Sequence, residues 1–93
     1  AIEHIAKTLE ELKEKDIRNV LLLAQGVNFI DVSGADFLVN QSNSFKKLGG
    51  NLYITGLKKN ARKMFAKSDY AIKFGEENIF IHKNDAIAEI YSR

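Results

Sequence analysis

The chain has 93 residues, enough for one domain with a modest core, of which 45% are hydrophobic and 28% charged, with a net charge of +2. That charge is too small to argue for a nucleic-acid partner, and the absence of cysteine excludes disulfides and thiolate metal sites. No apolar run is long enough to span a bilayer, and no proline, repeat, low-complexity stretch or linker divides residues 1–93, which read as a single domain.

Ile2, Ile5, Leu9 and Leu12 recur at three- and four-residue spacing over residues 1–15, the pattern of an amphipathic helix. "NVLLLA" (19–24) is a short continuous apolar run, which suits a strand covered on both faces in a parallel sheet. A second helix is expected from about Gly34 to Leu48, burying Leu38, Phe45 and Leu48. It ends at Gly49-Gly50, where a left-handed cap costs little. "NLYIT" (51–55) is the next strand and Gly56 a break. Residues 58–68 form a third helix burying Ala61, Met64 and Phe65, and "NIFIH" (78–82) forms a third strand. The last helix, from about Asn84 to Tyr91, buries Ala86, Ile87 and Ile90.

This alternation predicts an α/β domain, a layered and largely parallel sheet flanked by helices. Three strands are few for four helices. The expectation is therefore one or two further strands ahead of Ala1, and a sheet edge that a homodimer would cover.

Between the first strand and the second helix lies "NFIDVSGADFLV" (28–39). Ser33 followed by Asp36 has capping-box spacing, in which the hydroxyl accepts from a first-turn N–H and the acid reaches back. Asp31 adds negative charge at the positive end of the helix dipole, and Gly34 allows close approach of a backbone or ligand. A strand-to-helix turn of this kind is where α/β sheets bind ligands, but these acids would repel a phosphate. Neither the G-x-G-x-x-G nor the G-x-x-x-x-G-K-[ST] pattern is present.

Lys58, Lys59, Arg62, Lys63 and Lys67 make a basic cluster, with Lys73 nearby and only Asp69 opposing. Lys59, Lys63 and Lys67 fall at i, i+4 and i+8, which would set three ammoniums on one helix face. The ordinary reading of such a run is a solvated surface. His4 and His82 are far apart in sequence and pair with no Ser or carboxylate motif, so neither suggests a catalytic base, and no spacing suggests a metal site. The aromatics are spaced as core residues, except that Phe29 and Phe37 bracket the turn and are candidate partner contacts.

"FIDVSGADFLV", "FKKLGGNLYITGL" and "FIHKNDAIAEI", in that order over nearly the whole chain, resemble the STAS domain of sulfate transporters and anti-sigma factor antagonists. The resemblance implies a sheet flanked by helices, with strands ahead of the first helix. In the soluble antagonists the Ser directly after the Asp of the turn is phosphorylated by a partner kinase, which breaks docking. That position here is Val32, which has no hydroxyl. Ser33 is the nearest candidate for modification, followed by Thr55 and Ser68.

The resemblance therefore points to the other branch: a non-catalytic regulatory domain at the cytoplasmic face of the inner or plasma membrane, part of a SulP-type anion transporter. Its partner would be the membrane domain of the same polypeptide, or a soluble acidic protein. The expected docking surface is the turn Asp31, Val32, Ser33, Gly34, Asp36 and Phe37. No cofactor is implied beyond weak nucleotide binding at the basic cluster, which could instead lie on anionic lipid headgroups. The alternative is a soluble anti-sigma factor antagonist in a phosphorylation-controlled partner switch.

Overall fold

The computed structural model describes residues 2–27 and 30–93. Helix α1 (Ile2–Glu14) leads to strand β1 (Asn19–Leu23), helix α2 (Val32–Lys47) and strand β2 (Asn51–Thr55). Helix α3 (Lys59–Ala66), helix α4 (Tyr70–Phe74), strand β3 (Ile79–Phe80) and helix α5 (Lys83–Ser92) follow. The strands stand in chain order, β1-β2-β3, all parallel, with Asn19 opposite Asn51 and Ile54 opposite Ile79. This is the expected α/β architecture.

Side chains alternate across a strand, and β2 uses both faces. Leu52 and Ile54 join a core with Leu9 of α1, Leu38 and Phe45 of α2, and Ala61 and Phe65 of α3. Tyr53 points the other way, where Ile87 and Ile90 of α5 share a cavity with it. Its ring lies 5.1 Å below the Arg93 guanidinium. Arg93 also donates to the Asn78 Oδ1 at 3.0 Å, and Asn78 donates in turn to Asn51 at 3.3 Å. This polar chain pins the end of α5 to the sheet. A buried Asn and an Arg just beyond α5 carry no sequence pattern that would have announced it.

Helix α2 stops as its glycines predict. Gly49 adopts φ +87°, its N–H donates to the Lys46 carbonyl, and the Gly50 N–H donates to the Phe45 carbonyl, both at 3.0 Å. That is a Schellman closure. Leu48, expected in the core, is the C-cap and is 44% exposed, because the closure turns it outward. Ile87 likewise stands partly in solvent, leaving Ala86 as the buried contact of α5.

The third helix ends at Ala66, two residues early, because Ser68 and Asp69 take left-handed backbone (φ 52° and 63°) and restart the chain as α4. The third strand shrinks to Ile79–Phe80, since Glu76–Asn78 coil into a 3₁₀ turn and α5 begins at Lys83.

Thr55 is 1% exposed, and its hydroxyl has no hydrogen-bond partner among the described residues. That burial removes it as a site for kinase modification. Thr55→Val is expected to leave stability unchanged or raise it by about 1 kcal/mol, because it deletes an unpaired buried hydroxyl while keeping the shape. Chemical denaturation measures this, and a loss of stability would mean that the hydroxyl has a partner.

Candidate functional site

The chain leaves β1 through Ala24, whose N–H donates to the Thr55 carbonyl at 2.8 Å, and turns where the Val27 N–H donates to the Ala24 carbonyl. Asn28 and Phe29 lie outside the described residues, and with them the expectation that Phe29 contacts a partner. Ile30 is buried, anchoring the approach to α2.

The cap of α2 is Asp31, not Ser33. Its backbone is extended (φ −92°, ψ −179°), its carboxylate accepts the Gly34 N–H at 2.8 Å, and its carbonyl accepts the Ala35 N–H at 2.9 Å. Asp is among the best N-caps and brings a charge suited to the helix dipole. Asp–x–x–Gly spacing was as good a signal as Ser–x–x–Asp, and the carboxylate prevails. Ser33 is thereby an exposed first-turn residue. Asp36 does not reach back to a cap. It faces Tyr70 of α4, whose hydroxyl is pushed above the usual phenol range, first by burial and then by the charge of Asp36 and their hydrogen bond.

Asp31→Ala is therefore expected to cost about 1 kcal/mol, and Ser33→Ala much less than that. Urea midpoints of the two variants decide between the caps. The reverse order would restore Ser33.

The turn presents a defined surface. Asp31, Val32, Ser33 and Asp36 are exposed, while Gly34 and Ala35 face inward. Val32 is 55% exposed, an uncovered apolar side chain between two carboxylates. Against the turn lies an apolar cavity of about 250 Å³, lined by Ile5 of α1, Leu22 of β1, and Val27, Phe37, Leu38 and Leu57. Asp31 and Gly34 form part of its wall. Phe37 is half-buried and belongs to this lining, so it is partly withdrawn from the surface on which it was expected.

The basic cluster is only partly assembled. Lys58 is the N-cap of α3 in extended backbone, and Lys59, Arg62 and Lys63 point outward, opposite the buried Ala61 and Phe65. Lys67 is not on that face: it is the C-cap, with ψ 152°, because α3 ends one residue before it. His4 and His82 are both exposed, and no group of three or more His, Asp or Glu among the described residues could hold a metal ion.

A model of the STAS domain matches residues 1–86 of the chain. The chain belongs to the STAS family. This STAS domain is 27% identical over 85 residues to the putative sulfate transporter YvdB of Bacillus subtilis (strain 168), an alignment covering 91% of this chain and 16% of that protein. It thus spans under a fifth of the curated relative. Its fold matches the solved STAS domain of a SulP transporter from Vibrio cholerae with a TM-score of 0.68 and 24% identity, over 82% of this chain and 62% of that one. No helix among the described residues is long and apolar enough to cross a membrane.

Proposed function

We propose that this STAS domain is a non-catalytic regulatory domain of a SulP-type anion transporter, held at the cytoplasmic face of the membrane. On this reading it acts by docking the α2 turn onto the membrane domain of its own polypeptide. The observation that carries the reading is Val32, left exposed between Asp31 and Asp36 in a turn whose Asp31 and Gly34 wall an apolar cavity. Its likeness to a putative sulfate transporter supplies the setting. A complementary surface would offer an apolar side chain flanked by Lys or Arg, so that the central contact is dry and the charges fix its register.

The test adds this domain to inverted membrane vesicles carrying the transporter without it, and to matched vesicles lacking the transporter. Binding in excess over the matched vesicles is expected, and Val32→Glu should weaken that excess at least about tenfold by placing a charge at the contact centre. The exposed substitution should leave the melting temperature unchanged. No excess binding, or an excess that Val32→Glu does not touch, overturns the proposal.

A further inference from the structure

We infer that the outward face of α3 rests on anionic lipid headgroups of the membrane in which the transporter sits. This rests on the functional reading above for its location, and on different residues for its chemistry. Lys59, Arg62 and Lys63 fall within about 100° of arc on the side of the helix away from Ala61 and Phe65. Lys58 adds a fourth cation at the N-cap. From Gly56 to Ser68 the chain carries no carboxylate. Among the described residues, none of these four cations enters an ion pair.

Several cations elsewhere in the domain are occupied. Lys13 bonds Gln41 at 2.7 Å and Glu10 at 3.4 Å, Arg18 pairs with Asp16, and Lys46 donates to the Phe74 carbonyl. The α3 face is thus a concentration of charge that the fold leaves uncompensated.

The form of the face favours lipid over protein. Protein interfaces are built on apolar and aromatic centres and are depleted in lysine. No large apolar side chain of α3 is among the exposed ones, so the face has nothing to anchor a protein contact. A layer of mobile anionic headgroups needs no such anchor, and each Lys or Arg near it contributes about 1 kcal/mol, or about fivefold in partitioning.

The test is co-sedimentation with protein-free vesicles, either phosphatidylcholine alone or an equimolar mixture with phosphatidylglycerol. Binding is expected only to the anionic vesicles, and it should fall as salt shortens the screening length. Lys59→Gln/Lys63→Gln should lower partitioning about 25-fold, two steps of about fivefold. Lys7→Gln/Lys83→Gln removes the same charge from exposed positions on α1 and α5 and should leave partitioning nearly unchanged. Equal binding to neutral vesicles, no binding to either, or an equal loss in both double variants overturns the inference. All four positions are exposed, and a thermal melt of each variant verifies folding. Because these vesicles contain no protein, the result is independent of whether the α2 turn docks on a membrane domain.

Discussion

Gly50→Ala is expected to destabilise the domain by about 3 kcal/mol, at the upper end of what overpacking usually costs, whereas Gly26→Ala should change stability by less than about 0.5 kcal/mol. The two glycines differ in what an added methyl would meet. At Gly26 nothing lies within 4 Å. At Gly50 the new carbon would collide with the Arg18 carbonyl and lie 2.8 Å from the Arg18 Cβ. That carbonyl cannot move freely, because it accepts the Asn51 N–H at 3.1 Å at the first rung between β1 and β2. Relief therefore requires the strands to part where their pairing begins. A loss of about 3 kcal/mol corresponds to a fall of roughly 12–24 °C in melting temperature for a domain of this size. Urea unfolding of both variants checks the contrast, and similar midpoints would mean that β1 yields at little cost.

Phe74→Ala is expected to cost about 3–5 kcal/mol, enough to bring a domain of ordinary stability close to unfolding. Phe74 is fully buried, with its ring 5.4 Å from that of Phe65 in an edge-on arrangement. Its carbonyl accepts from the Ser42 hydroxyl at 2.8 Å and from Lys46 at 3.2 Å, so one residue ties α4 to both α2 and α3. Helix α4 has five residues, far fewer than the roughly 12–15 at which an isolated helix becomes even marginal. Packing rather than propensity holds it. Hydrogen exchange should show the amides of 67–78 losing protection in Phe74→Ala before those of β2. Uniform loss across the chain would instead indicate a single cooperative unit.

The parts of this molecule legible in its sequence are those set by periodicity and glycine. "NVLLL" and "NLYIT" read as parallel strands and pair as such, but only β2 is covered on both faces: β1 stands at the edge of the sheet, half-buried, with Leu23 50% exposed. Gly49 marked the end of α2 because only a left-handed residue completes its closure. Less legible were choices among competing polar groups. Asp31 and Ser33 are both good caps three residues ahead of a suitable partner, and local spacing does not rank them. The break after Ala66 arises from left-handed Ser68 and Asp69, residues that tolerate such backbone without advertising it. That break removed Lys67 from the basic face. The candidate docking turn was visible as a stretch of sequence, but the cavity beside it was not. Its lining comes from α1, β1, α2 and the Leu57 loop, segments whose meeting only the tertiary fold decides.

The order of the strands in the sheet is also the order in which a ribosome makes them. Each strand after β1 therefore emerges to find its neighbour already synthesised, with no gap held open for a later segment. Assembly can proceed from the amino-terminal side one layer at a time. Helix α5, made after all three strands, then closes over a face that β1 and β2 have already built together.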